Sequence, residues 1–331
     1  MAPGMAQGDS GEPAVTQASP ADVSVVIVSW NCADLLAGCL HSLARHAAGQ
    51  VLEVWVVDNA SSDQTLSMLR DRFPQVRVIA NRENRGFAAA NNQAIRQAAG
   101  RYVFILNPDT VVEEGAVRKL REFLEQHAEA GMAGPRIHCA DGSLAPTAAR
   151  RTYSLAAALW LTSLRLDGVP LLGGWLRKRL MSPYDFNRTQ PVEAISGAAM
   201  LVRRELLQRL DGFGECFSHC GEDIDLCVRV LRSGCGIYYV ADATVWHYEG
   251  ASRSKAPVRT EVNSLMSNHR YFVRCFGRRH AFLFRLMVQG LAVPRLVIAG
   301  VLRLLSRRES ADEFRQRLAI ARHLLQWRDV Q

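Results

Sequence analysis

Two acidic stretches and one histidine hold most of the chemistry this chain could perform. Tyr102–Thr110 reads YVFILNPDT, five mostly apolar β-formers running into the polar corner Asn107-Pro108-Asp109. Proline cannot continue a strand ladder, so the chain turns there. Open α/β sheets place ligands at the carboxyl ends of such strands. Asp109 at that turn is suited to hold a cation against a ligand's phosphates; the plainer alternative is a turn in which it bonds nearby backbone. Further on, GEDIDLCVRVLR (221–232) crowds Glu222, Asp223 and Asp225 into the first turn of a helix. Dipole compensation alone would give each acid roughly 0.3–1 kcal/mol. Three acids exceed what capping requires, and like charges nearby push a carboxylate toward the range of a general base. His247 follows a strand in WHYEGAS; it is either a structural histidine or a neutral imidazole suited to a divalent metal. Cys216, His219 and Cys220 lie close together, but their spacing completes no tetrahedral zinc template.

The elements that must position these residues can be read from hydrophobic periodicity. Val23–Ser29 is a β-branched run and predicts a buried strand, with a helix over Ala33–His46. Val51–Val57 predicts a second strand, ending in the polar run Asp58–Asp63, then a helix over Gln64–Arg72. Val76–Ala80 is a short third strand, and Asn84-Arg85-Gly86-Phe87 opens a helix reaching about Ala99. After the strand and corner already described, Glu113–His127 is an amphipathic helix with two acids in its first turn. Four alternations of β and α predict a mostly parallel sheet with helices on both faces. The polar residues at the ends of strands one, two and four should gather on one edge. Neither GxGxxG nor GxxxxGK[ST] occurs there, which disfavours a dehydrogenase or a P-loop enzyme. A nucleotidyltransferase is disfavoured as well, for want of a Gly-rich basic loop after strand one.

Residues 140–190 are irregular, and the apolar stretches Leu155–Leu166 and Val169–Leu180 read as a lid or a membrane-contacting insert. Ala194–Val202 sets small residues before an apolar strand end, where a ligand or a backbone can approach closely. Gly236–Val240 predicts another strand. Residues 1–21, rich in Ala, Gly, Pro, Ser and Gln, read as a disordered leader without the apolar core of a secretion signal.

At 331 residues and 48% hydrophobic, the chain can bury a large core. Its eight cysteines form no CxxC pair, which fits a reduced, cytoplasmic protein. The net charge of +8 is uneven: from Ala251 onward there are sixteen Lys/Arg and five Asp/Glu, a balance of +11, leaving −3 for the rest. The tail alternates basic and apolar residues, and its longest uncharged run from Leu286 falls far short of the ~20 needed to span a bilayer. Interfacial helices lying on a membrane fit this pattern, with ordinary packed helices as the alternative. No nucleic-acid recognition module is present.

Taken in order, VSVVIVSWN, VVDNASSD, NRGFAAANN, YVFILNPDT, SGAAMLVRR, GEDIDLCVR and WHYEGAS resemble the family-2 glycosyltransferases of the GT-A fold. LNPDT with GEDIDLCVR and WHxxG looks most like the rhamnosyltransferase branch, which acts on lipid-linked glycans. The resemblance covers about Val23 to Ser254. It implies a GT-A domain over 22–254, with a nucleotide half (22–130) and an acceptor half (131–254), followed by a basic amphipathic helical tail (255–331). By residue, it implies that Asp58 takes the nucleotide base and that Ser29, Asn31, Asn84 and Gly86 line the nucleotide pocket. It implies that Asp109 and His247 hold Mg²⁺ or Mn²⁺, with Asn107 where the family's metal motif has its first acid. Asp223 matches the general base, with Glu222 and Asp225 supporting the acceptor side. The expected reaction is an inverting transfer from a dTDP- or UDP-sugar to a lipid-linked or polysaccharide glycan, at the inner face of the cell membrane. Asn107 in place of an acid is the sole feature favouring the competing reading, a non-catalytic nucleotide-sugar or membrane-binding scaffold. The sequence leaves oligomeric state open.

Overall fold

Val23–Ser29 forms the strand β1 in a computed structural model that describes residues 22–46, 52–152, 182–217, 221–248, 257–306 and 311–326. Val23, Val25, Val26 and Ile27 are wholly buried, as a strand covered by helices on both faces requires. Parallel to it run β2 (Leu52–Asp58), β3 (Arg77–Ala80) and β4 (Tyr102–Leu106), in the order β3-β2-β1-β4. The crossovers between them are α1 (Ala33–His46), α2 (Thr65–Arg72) and α3 (Gly86–Ile95). The register pairs Ser29 with Asp58, so these two residues end neighbouring strands side by side.

Beyond β4 the sheet becomes mixed. The remaining strands are β5 (Thr110–Val112), β6 (Ala130–Cys139), β7 (Gln190–Pro191), β8 (Ala199–Arg203) and β9 (Gly236–His247). The order continues from β4 through β8, β6 and β9 to β5, with β7 also on β9. β8 runs antiparallel to both neighbours and β9 runs parallel to β6. The parallel arrangement expected from four β–α alternations therefore holds for β1 to β4, and an antiparallel β8 joins them to the rest of the sheet.

Several boundaries differ from the sequence reading for local reasons. α3 stops at Ile95. A Cβ on Gly100 would lie 2.6 Å from the Ser24 nitrogen, so the chain after α3 passes hard against β1. α4 (Ala116–Gln126) begins after Gly115, whose φ of 71° is left-handed, so Glu113 and Glu114 precede the helix rather than fill its first turn. Glu113 instead accepts a hydrogen bond from the Trp246 indole nitrogen on β9 at 2.6 Å. β9 extends seven residues past Val240, to His247.

Two further helices, α5 (Arg204–Arg209) and α6 (Glu222–Arg232), complete the α/β layer. The tail forms α7 (Pro257–Phe276), α8 (Arg278–Ser306) and α9 (Ala311–Leu325). Their inner faces make a second apolar core, in which Tyr271, Phe272 and Phe284 meet Phe217, Ile224 and Val228. The tail thus packs on the outer side of α6. Among the described residues no helix is long and apolar enough to cross a membrane. The leader 1–21, the two apolar stretches between 155 and 180, and His219 and Cys220 lie outside the described residues.

Candidate active site

The Asn107-Pro108-Asp109 corner is fixed on three sides. Asn107 N donates to Ala198 O at 2.9 Å, Thr110 Oγ1 donates back to Asn107 O at 2.7 Å, and Tyr248 N donates to Asp109 O at 2.9 Å. The short strand β5 then pairs Thr110 with His247. That register brings His247 Nε2 to 3.1 Å from Asp109 Oδ1 and 3.3 Å from Asn107 Nδ2, although Asn107 and His247 are 140 positions apart. The sequence-predicted metal pair and Asn107 therefore meet at one point. His247 itself is 8% exposed.

Whether these residues fit a cation can be judged from the atoms. Asp109 Oδ1 is buried and accepts no well-aligned hydrogen bond despite the nearby imidazole. A buried anionic oxygen in that condition is costly unless something else satisfies it. Carboxylate, imidazole and amide oxygen together suit Mg²⁺ or Mn²⁺. Among the described residues no third His, Cys, Asp or Glu joins the pair, and Asn107 is the further polar side chain at the corner. Cys39 lies beneath the corner, 3.5 Å from Thr110 Oγ1, but burial pushes its thiol up to about 12 and leaves it an inert packing group.

The loops after β1, β2 and β3 converge on the same edge. Asp58 is wholly buried; one of its oxygens accepts from Ser61 N at 3.1 Å, while Oδ1 accepts nothing. Asn31, with a left-handed φ of 52°, accepts from Ser62 N at 2.7 Å and its own N donates to Ser61 Oγ, which staples the loop after β1 to the loop after β2. Ser29 is buried beside it, 3.3 Å from Cys32 Sγ. Asn84 Oδ1 accepts from Gly86 N at 2.9 Å and from Asn59 Nδ2 at 3.2 Å. Asn59 also donates to Gly86 O, accepts from Asn81 Nδ2 and accepts from Arg85 N. Asn59 is thus the clasp that orders the Asn84–Gly86 turn. Its place directly after Asp58 was the signal available in the sequence.

The acid pair opens α6. Asp223 Oδ2 accepts from Arg150 Nη2 at 2.5 Å and from Gly197 N at 3.2 Å, and Oδ1 accepts from Ile224 N. A Cβ on Gly197 would stand 3.1 Å from that of Asp223, which explains the small residues of SGAA. Gly197 and Ala198 also link the two halves of the site, since Gly197 N holds Asp223 while Ala198 O receives Asn107 N. Arg150 escaped the sequence reading because no motif or periodicity surrounds it. Its backbone exchanges two hydrogen bonds with Ala194, which seats it against the acid pair. Glu222 Oε2 is buried without a partner. Burial first, and the neighbouring Asp223 second, push the Glu222 carboxyl up to about 7, with Arg150 opposing.

Asp225 goes elsewhere. It is 1% exposed, and its two oxygens are held by Arg229 at 2.8 Å and Arg274 at 2.9 Å. This geometry gives no support to an acceptor-side role. Asp225 lies two positions from Asp223 and so on another side of the helix, and its pairing with Arg274 pins α7 to α6.

Comparison with known proteins bears on the family and the fold. The chain is 28% identical over 278 residues to an N-acetylglucosaminyl-diphospho-decaprenol L-rhamnosyltransferase of Mycobacterium tuberculosis, covering 79% of this chain and 86% of that one. A solved mannosyltransferase from Pyrobaculum calidifontis, in complex with GDP-Man and Mn²⁺, shares the fold with a TM-score of 0.55 at 17% identity, over 93% of this chain and 88% of that one. The Staphylococcus aureus TarS fragment solved with UDP-GlcNAc shares it with a TM-score of 0.51 at 16% identity, over 92% and 81%. The profile of glycosyl transferase family 2 matches residues 24–211, more than half the chain. The chain belongs to glycosyl transferase family 2.

Proposed function

We propose that this glycosyltransferase moves rhamnose from dTDP-rhamnose, or a sugar from a related UDP donor, to a hydroxyl of a lipid-linked glycan at the cytoplasmic face of the membrane. The observation that carries the reading is the junction at Gly197-Ala198, which ties the Asn107–Asp109–His247 corner to Asp223 through two adjacent residues. Similarity over most of the chain to a rhamnosyltransferase named for a lipid-diphospho-N-acetylglucosamine acceptor supports the choice of sugar and acceptor class.

Each residue then has a task. Asp58 receives the imide N–H of uracil or thymine on its open Oδ1, a group that cytosine lacks. The stapled loops at Ser29, Asn31, Asn84 and Gly86 wall the nucleotide. Asp109 and His247, with the Asn107 amide beside them, would hold a divalent cation, which would offset charge on the leaving diphosphate. Asp223 accepts the proton of the acceptor hydroxyl as that oxygen attacks the anomeric carbon. Arg150 and Gly197 N aim the Asp223 carboxylate, and Glu222 lies against it. The direct displacement inverts the anomeric centre without a glycosyl-enzyme intermediate, unlike the two-step retaining route.

The test is transfer from labelled dTDP-rhamnose and UDP-sugars to a polyprenyl-diphospho-N-acetylglucosamine acceptor with Mn²⁺. Rhamnosyl transfer by the native chain, lost in Asp223→Asn while donor binding persists, is the expected result. Neither transfer nor donor hydrolysis across the panel would refute it.

A further inference from the structure

The tail has an apolar face that its own packing leaves uncovered. Inward, α8 sets Ala281, Phe284, Val288 and Ala292 into the second core. Outward, Phe282, Leu286, Val293 and Val297 are 47%, 47%, 51% and 60% exposed. With 3.6 residues per turn, these four fall within an arc of roughly 60° on one side of the helix. Leu283 and Gly290 are exposed at its border. The same character continues onto the end of α7, where Val273 and Phe276 are exposed. A helix apolar on both sides is normally buried on both.

Charge identifies the cover. Across its 29 residues α8 carries five arginines and no acid, and Arg278 and Arg279 are exposed at its start. The 251–331 segment as a whole stands at +11. A second copy meeting this face with its own α8 would offer the arginines no acid to pair with, because the helix carries none. An anionic bilayer surface neutralises the arginines and takes the apolar stripe into the boundary between headgroups and acyl chains. Crossing is disfavoured by the charges spread along α8.

We propose that the outer face of α8, centred on Phe282, Leu286, Val293 and Val297 with Arg278 and Arg279 at its start, docks flat on an anionic membrane surface. This names the lipid-facing surface of the chain and rests on the reading that the acceptor is membrane-borne. The inner face of the same tail packs on Ile224, next to Asp223, so docking holds the acid-bearing helix close to the bilayer.

Vesicle co-sedimentation of the full chain tests this without donor or acceptor, so its outcome is independent of whether transfer is found. The native chain should bind vesicles of equal phosphatidylcholine and phosphatidylglycerol, bind phosphatidylcholine alone weakly, and release from the mixture as salt rises. Phe282→Ser with Leu286→Ser and Val293→Ser should weaken partition into mixed vesicles by at least ~10-fold. Arg278→Gln with Arg279→Gln should weaken the preference for anionic lipid. These are surface positions, and circular dichroism of each variant checks that the fold is kept. Equal binding of native and serine variants, failure of the native chain to bind mixed vesicles, or light scattering that finds a dimer dissociated by the same serines would overturn the proposal.

Discussion

Asp109 Oδ1 lies 3.1 Å from His247 Nε2 because Thr110 and His247 are register partners in the β5–β9 pair. Asn107 approaches the same nitrogen at 3.3 Å. If the three hold a cation, the neutral amide supplies one negative charge fewer than a carboxylate would. Asn107→Asp should therefore lower the Mn²⁺ dissociation constant by about tenfold, a shift of ~1.4 kcal/mol. His247→Ala should raise it by a similar factor. Calorimetric titration of Mn²⁺ reads both without an assay of turnover, and unchanged constants in both variants would remove the cation from this corner.

Arg150 grips the Asp223 oxygen that Gly197 N also holds. Arg150→Gln should cut kcat by at least ~10-fold while leaving the donor dissociation constant within about twofold, since the nucleotide half does not depend on Arg150. Arg150→Lys should recover part of the loss, because it restores the charge but not the fork. A variant losing donor affinity and kcat in parallel would mark Arg150 as general scaffolding.

Glu222 gives a pH signature. With its carboxyl raised from 4.5 to about 7, the folded chain holds a proton that the unfolded chain releases earlier. Stability contributed by the neutral form is full below 4.5, falls as pH rises toward 7, and levels off above. Glutamine cannot ionise, so Glu222→Gln should be more stable than the native chain at pH 8 by about 1–3 kcal/mol and nearly equal at pH 4.5. Urea unfolding at the two pH values decides it; an unchanged difference would show that Glu222 ionises normally.

Asp58 should set base preference. Asp58→Asn replaces an acceptor with an amide that can also donate, so discrimination between UDP and CDP should fall by at least about tenfold. Competition binding of the two nucleotides measures it, and retained discrimination would place base recognition elsewhere.

Much of the fold is legible in the sequence where burial is complete on both faces. β1 and β4 are continuous apolar runs because helices cover them on each side, and α1 keeps its expected limits. β6 is far less legible. Its sequence AGMAGPRIHC is diluted by glycine and proline, yet Gly131 faces Leu206 and Cys235, and Gly134 faces Ile195, with no room for a Cβ. Its stability comes from neighbours, which a local pattern cannot display. β5 is three residues long and follows a proline, so no periodicity announces it. Of the site, the acid–imidazole meeting at Asp109 and His247 was readable only by family likeness, and Arg150 was not readable at all. The three acids at the start of α6 looked alike in the sequence. Burial and guanidinium partners separate them, leaving Asp225 structural and the other two adjacent to Gly197 and Arg150.

The β5–β9 pairing also has a consequence for how the protein matures. Asp109 emerges from the ribosome long before His247, and the two meet only when the final strand zips onto the sheet. Bringing such distant chain positions together carries the entropic cost of closing the intervening loop. A nascent chain halted before residue 240 would already contain β1 to β4, yet would have no imidazole to complete the corner. The corner therefore exists only in a chain whose β9 has been made and has paired with β5.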